Sequence, residues 1–263
     1  MLPLPLDPLP AVFQSVNLVA TDMDGTLTTT GKLTAEVLQS FHTLRQAGVE
    51  VLVVTGRSAG WMSGLVHYLP IWGAIAENGG VFYPGQAESP SLLVTIPDLT
   101  QHRQTLADIF GQLKAAFPQL QESADNAYRL TDWTFDVQGL GQDTIAHLRD
   151  RCQAEGWGFT YSTVQCHIKL PDQSKATGLQ QVLQQHFPLA SPTSVVTVGD
   201  SPNDETLFDA RLFPLSVGVA NVMHYRDQMQ HLPAYVTHAA EGAGFCELAR
   251  TLLSARSWSV ATL

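Results

Sequence analysis

Three apolar, β-rich runs each break off at a polar cluster, and this repeated ending constrains the fold more than any other feature. "VNLVATDMDGT" runs from Val16 into Asp22 and Asp24; "VEVLVVTGR" runs into Thr55, Gly56 and Arg57; "SVVTVGDSPND" runs into Asp200, Asn203 and Asp204. Runs that are apolar at nearly every position suit strands buried on both faces, as in a parallel sheet covered by helices. Helical periods lie between them. In "KLTAEVLQSFHTLRQAG", Leu33, Val37, Leu38, Phe41 and Leu44 recur at helical spacing, with Thr34 as N-cap and Gly48 as stop. "SAGWMSGLVHYL" predicts another helix, and "GAIAENGGVFY" a strand, a glycine turn and a second strand. The alternation predicts an α/β fold with a Rossmann-like parallel sheet core and helices on both faces.

The middle of the chain changes character. "TQHRQTLADIFGQLKAAF" is helical, and "LQESADNAYRLTDWTFDVQ" reads as two strands around a turn at Asp125 and Asn126. "GQDTIAHLRDRCQAEG" is a second helix, and "GFTYSTVQCHIKL" is again strand-like. The pattern helix–strand–strand, twice over, predicts an inserted α+β domain (αββαββ) at 97–170. The core would then span 11–96 and 171–263, and "MLPLPLDPLP" at 1–10 would be an extended arm with no signal-peptide character.

A chain of 263 residues has room for such a core and a smaller unit. Its net charge of −10 disfavours nucleic acid and anionic membranes as partners, and no apolar stretch reaches the ~18 residues of a membrane helix. Cys152, Cys166 and Cys246 share no metal-like spacing, so they read as inert core thiols in a reduced, cytoplasmic setting. The nine histidines show no zinc-like cluster. Monomer and homodimer both remain open.

Asp22 and Asp24 are two apart, so on extended backbone both carboxylates face one side. Ligands of open parallel sheets bind beyond the carboxyl ends of the strands. Two carboxylates so close repel and call for a cation or a proton. Alone, Asp-x-Asp-Gly reads as a turn, Thr-Gly-Arg as a strand–helix junction, and Ser201, Asn203 or Asp204 as helix caps. Lys175 stands near a helix start, where the helix dipole disfavours a cation, unless it reaches an anion. Hard cations take oxygen ligands, and Asp22, Asp200 and Asp204 could supply them.

The set outweighs its members. Asp-x-Asp-Gly-Thr, Thr-Gly-Arg, a lysine, and Gly-Asp-x-x-Asn-Asp, in that order, resemble the haloacid dehalogenase superfamily of phosphotransferases. The position of the insert is similar to the Cof-type subclass with a large α/β cap, which includes sucrose-phosphate phosphatase and phosphomannomutase. The resemblance implies a Mg²⁺-dependent phosphatase acting on a small phosphorylated metabolite, a sugar or sugar-acid phosphate. It implies Asp22 as nucleophile, forming an aspartyl-phosphate, and Asp24 as the proton-carrying acid/base. Thr55 and Lys175 would hold phosphoryl oxygens, with Gly56, Arg57, Asn78 and Asn203 beside them. Mg²⁺ would bind Asp22, the backbone carbonyl of Asp24, and Asp200, with Asp204 as a ligand or behind one. For the leaving group, Arg129, Trp133, His167, Lys169 and Trp61 are candidates, and Glu77 would lie beside Asn78 in a turn that resembles the family's substrate-facing one. A phosphosugar mutase, or a binding protein without catalysis, are the competing readings.

Overall fold

Leu18 and Ala20 point to one side of their strand and Val19 to the other, and both sides find a hydrophobic partner. The same split runs through Leu52 and Val54 against Val51 and Val53. This two-sided burial is what continuous apolar runs require. A computed structural model describes residues 2–6, 11–85 and 89–260, with backbone alone for 257–260.

The first part of the chain holds β1 (Leu4–Pro5), β2 (Leu18–Thr21), β3 (Thr28–Thr29), β4 (Lys32–Leu33), α1 (Ala35–Gln46), β5 (Glu50–Val54), α2 (Ala59–Tyr68), β6 (Gly73–Ala76), β7 (Val81–Pro84) and β8 (Ser91–Leu92). The middle holds α3 (Leu99–Ala116), β9 (Trp133–Asp136), α4 (Gln142–Ala154), β10 (Gly158–Tyr161) and β11 (Gln165–Lys169). The last part holds α5 (Lys175–His186), β12 (Val195–Gly199), β13 (Ser216–Gly218), β14 (Tyr235–Val236) and α6 (Glu241–Val260).

The main sheet runs in the order β1-β14-β13-β12-β2-β5-β6-β7-β8. It is parallel from β1 to β6, and β7 and β8 add antiparallel to that edge. Phe41 and Leu44 of α1, Met62 of α2 and Leu248 and Leu252 of α6 cover one face. Leu179 and Val182 of α5, with Phe208 and Val222, cover the other. Each such side chain contributes about 1.5–3 kcal/mol on burial. From β2 the chain steps to β5 on one side, and it returns later to β12 on the other. The topological switch point therefore lies at the end of β2, where a crevice opens in sheets of this kind.

The middle elements form a second sheet, β10-β11-β9, antiparallel throughout. Leu106 and Phe110 of α3, Leu148 of α4, and Phe135, Cys166 and Ile168 form its own apolar core. The pairing expected around Asp125 and Asn126 does not form. Ala124–Tyr128 is a 3₁₀ turn, and only the bridge Glu122–Phe135 stands where the fourth strand was expected. The buried Asn126 side chain takes over the pairing: Nδ2 donates to Thr134 O at 2.7 Å and Oδ1 accepts from Thr134 N at 2.9 Å. Pro202–Phe208 is likewise 3₁₀, not the start of an α-helix. The N-terminal segment joins the sheet edge, with Leu4 N–H on Ala234 O and Leu6 N–H on Val236 O. The rest of the expected arm, residue 1 and 7–10, lies outside the described residues. No described helix is long and apolar enough to cross a membrane.

Candidate active site

β12, β2 and β5 are neighbours in register, so the polar clusters that follow them meet at one sheet edge. Asp22 follows β2, Thr55 follows β5 and Asp200 follows β12. Asp22 N–H still bonds Val198 O at 2.9 Å, which holds its side chain at the edge. Lys175 opens α5 and is fully buried. Its Nζ lies 2.5 Å from Asp22 Oδ1 and 2.7 Å from Asp204 Oδ1. These carboxylates explain a cation at the positive end of a helix. Asp204 Oδ2 accepts from the N–H groups of Asp200 and Ser201, at 3.0 and 3.1 Å. Both oxygens of Asp204 are thus engaged by the protein itself. Asp200 accepts from Thr26 Oγ1 at 3.3 Å and from Asn221 Nδ2 at 2.9 Å. Gly25, at φ +81°, passes so close that a Cβ there would stand 2.5 Å from Asp200 Oδ2.

Asp22, Asp200 and Asp204 are buried, and each offers an oxygen within 4.8 Å of the others. Burial pushes the Asp22 carboxyl up to about 7, opposed by Lys175 and reinforced by Asp204. Burial, with the charges of Asp22 and Asp204, likewise raises Asp200. Lys175 is raised because its two carboxylate partners outweigh its own desolvation. Three carboxylates against one ammonium leave a deficit of two charges, and a divalent cation on oxygen ligands fits that deficit.

The phosphate-side residues divide. Thr55 is buried, but its backbone N–H goes to Ile75 O at 2.8 Å, so only the hydroxyl is left to serve an anion. Arg57 is taken up by a neighbouring carboxylate. It forks onto Asp24, with Nε to Oδ2 at 2.7 Å and Nη2 to Oδ1 at 2.6 Å, and lies 4.7 Å over the Trp61 ring. Asn78 and Asn203 meet, Nδ2 of Asn203 donating to Oδ1 of Asn78 at 3.1 Å. The buried Nδ2 of Asn78 has no partner among the described residues.

Across the cleft, Ser162, Val164, Gln165 and His167 close over Asp22, Asp24, Thr55, Gly56, Arg57 and Asn203. The space left between them is about 10 Å³, room for about one water and far under the ~300–1,000 Å³ of ligand sites. Two core–insert contacts fix this geometry. Arg129 Nη1 donates to Gly56 O at 3.0 Å. Glu77, in a left-handed turn with Asn78 at φ +53° and +52°, accepts from Ala59 N–H at 2.8 Å and Thr131 N–H at 2.7 Å. Burial, then the Asp132 charge, raises Glu77 to about 7. Arg129 and Glu77 therefore brace the cleft without lining it. Trp133 stacks under Arg103 inside the insert, and Lys169 Nζ donates to Gln173 O, so neither faces the cleft.

Asn221, Asp132 and Gln165 were not legible as site residues. Asn221 lies just past β13, and its position at a parallel strand end was its only signal. Asp132 accepts from His167 Nδ1–H at 2.9 Å and from Arg129, and nothing in "LTDWTF" marks it.

Comparison with known proteins adds to this geometry. A family model described as haloacid dehalogenase-like hydrolase matches residues 19–132. The chain is 28% identical over 244 residues to a phosphoglycolate phosphatase of Methanothrix thermoacetophila, covering 89% of this chain and 95% of that one. It is 27% identical to phosphoglycolate phosphatase 1 of Saccharolobus solfataricus, over 90% and 96% of the two chains. A Thermoplasma acidophilum crystal structure superposes with a TM-score of 0.72 at 18% identity, over 90% of this chain and 98% of that one. A HAD/COF-like hydrolase from Plasmodium vivax gives 0.70 at 17%, over 92% and 96%. The chain is thus similar to haloacid dehalogenase-like hydrolases over residues 19–132 and to phosphoglycolate phosphatases over 89–90% of its length, and it shares the fold of these solved structures.

Proposed function

We propose that the protein is a Mg²⁺-dependent phosphomonoester hydrolase that works through Asp22. The observation that carries this reading is Lys175 bridging Asp22 and Asp204 beside Asp200, with two negative charges left over. Asp22, the Asp24 carbonyl and Asp200 would hold the ion, with Asp204 fixing the loop. When bound, Mg²⁺ neutralises charge on the transferring phosphoryl group.

The chain's own residues do the rest. An oxygen of Asp22 attacks phosphorus and forms an aspartyl-phosphate as the bond to the leaving oxygen breaks. Lys175 and the Thr55 hydroxyl hold phosphoryl oxygens. Asp24 gives a proton to the leaving oxygen and later takes one from the attacking water. Arg57 holds both Asp24 oxygens, so the fork opens before that transfer. The insert, taken as 97–170, serves as a cap that excludes water and bulky substrates.

The substrate is a small phosphorylated metabolite, a sugar or sugar-acid phosphate, and the nearly closed cleft means that the insert moves aside to admit it. The relatives' names make 2-phosphoglycolate one ester to assay. Phosphate release from a panel of metabolite esters with Mg²⁺ tests the reading. Wild type should turn over at least one ester, and Asp22→Asn and excess EDTA should each abolish it. Equal release from wild type and Asp22→Asn would sink the mechanism.

A further inference from the structure

β11 presents Gln165, His167 and Lys169 on one side and Cys166 and Ile168 on the other. Cys166 and Ile168 sit in the apolar core of the insert, so the other three are turned toward the core domain. Of these, His167 stands over Gly56, beside the nucleophile loop. A Cβ on Gly56 would lie 3.1 Å from His167 Cε1, 3.2 Å from His167 Nε2 and 3.2 Å from Asn78 Nδ2. Two polar atoms, one from the insert and one from the turn after β6, thus approach the same face of Gly56, where any side chain would crowd them.

Their chemistry is complementary. Asp132 is fully buried, and Arg129 binds both its oxygens at 2.9 and 3.1 Å. Burial works against its charge, yet Arg129 and His167 hold the Asp132 carboxyl below its usual range. An ionised carboxylate only accepts, so the proton sits on His167 Nδ1. Burial lowers the His167 imidazolium despite Asp132, so the ring is neutral and Nε2 carries a lone pair. Among the described residues Nε2 has no hydrogen-bond partner, and the Asn78 amide is a buried donor without one.

We propose that His167, oriented by Asp132 and Arg129, accepts a hydrogen bond from a hydroxyl of the leaving group while Asn78 donates to the same oxygen. One hydroxyl satisfies both atoms. A methylene satisfies neither, and a carboxylate oxygen meets the lone pair of Nε2. The substrates are then phosphate esters that carry a hydroxyl near the ester, in preference to hydroxyl-free ones. This rests on the phosphatase reading above for its substrates, and on the two unpartnered atoms of His167 and Asn78 for the hydroxyl.

The test compares 2,3-dihydroxypropyl phosphate with propyl phosphate, which differ only in hydroxyls. The matching non-hydrolysable phosphonates are compared by calorimetry. Wild type should favour the hydroxylated member by at least ~30-fold in kcat/KM and in affinity, since sites built around a hydroxyl reject analogues lacking it. In His167→Phe the ratio should fall to within about threefold, because the acceptor is gone. Asp132→Asn should collapse it too, since an amide donor to Nδ1 puts the proton on Nε2. A packing role for His167 would change both esters alike and leave the ratio intact.

A wild-type ratio near one overturns the proposal, and so does a ratio that survives both variants. Faster turnover of 2-phosphoglycolate than of the hydroxylated ester, lost in His167→Phe, also overturns it in favour of an imidazolium–carboxylate pair. If no ester is hydrolysed, the phosphatase reading fails, and the phosphonate ratio still decides this one. The wild-type ratios need no variant to fold.

Discussion

Replacing Lys175 by methionine removes the one ammonium among three buried carboxylates while filling nearly the same volume. Lys175 has no solvent exposure and contacts Asp22 and Asp204 at 2.5 and 2.7 Å. Removing one partner of a buried ion pair costs about 3–5 kcal/mol, because the remaining charge stays uncompensated. Each kcal/mol moves the midpoint by roughly 2–4 °C in a chain of this size, so Lys175→Met should melt roughly 6–20 °C below wild type without metal. Excess Mg²⁺ should raise the variant's midpoint more than that of wild type, since the variant's site carries one more negative charge. Adding Asp22→Asn should recover part of the loss, as coupled neighbours do in a double-mutant cycle. Thermal melts by circular dichroism, with EDTA and with Mg²⁺, read all three effects. A metal-free Lys175→Met that melts within about 2 °C of wild type would refute the charge argument, because a buried ion pair broken on one side cannot be that cheap.

Three further outcomes follow from the core–insert contacts and the thiols. The Glu77 carboxyl is raised to about 7 from an ordinary 4.5, so the folded state holds this proton more tightly than the unfolded chain does. Its contribution is fullest below pH 4.5 and is lost as pH rises to about 7, a swing of roughly 3 kcal/mol. Denaturant melts between those pH values should show a shallower slope in Glu77→Gln than in wild type, the raised Asp22 carboxyl supplying the remainder; equal slopes would count against the assignment. Gly79, at φ +98°, has Ser174 O 2.0 Å from a built Cβ, so Gly79→Ala should yield little soluble protein, whereas Gly64→Ala, with open space, should express normally. Cys152 is buried and raised to about 12 by burial, so it should resist a thiol reagent until denaturant is added. Rapid native labelling at Cys152 would show that the insert opens more often than this packing allows.

Much of the frame was legible in the chain. Val19, Val51, Val53 and Val196 lie in runs apolar at nearly every position, and such runs have one good solution: a sheet with both faces covered. The polar clusters end those runs, so their place at the sheet edge followed from where the apolar residues stop. Lys175 betrayed itself by standing at a helix start against the dipole. Other details had no local signal. "ADNAY" reads as a strand turn, yet one buried amide, Asn126, outbids a fourth strand by bonding both backbone groups of Thr134.

What the sequence determined by itself was local: which segments are strands, which are helices, and which strand ends carry charge. Tertiary structure alone decided which charges meet. Arg57 is spaced as if to face phosphate, and the fold closes it on Asp24 instead. His167 and Asp132 are 35 residues apart, and only the antiparallel pairing of β9 and β11 brings them to one hydrogen bond. The reason is range. Periodicity and capping are set by neighbours within a few residues, whereas ion pairs and hydrogen bonds across a cleft depend on distances of a few tenths of an ångström between segments far apart in the chain.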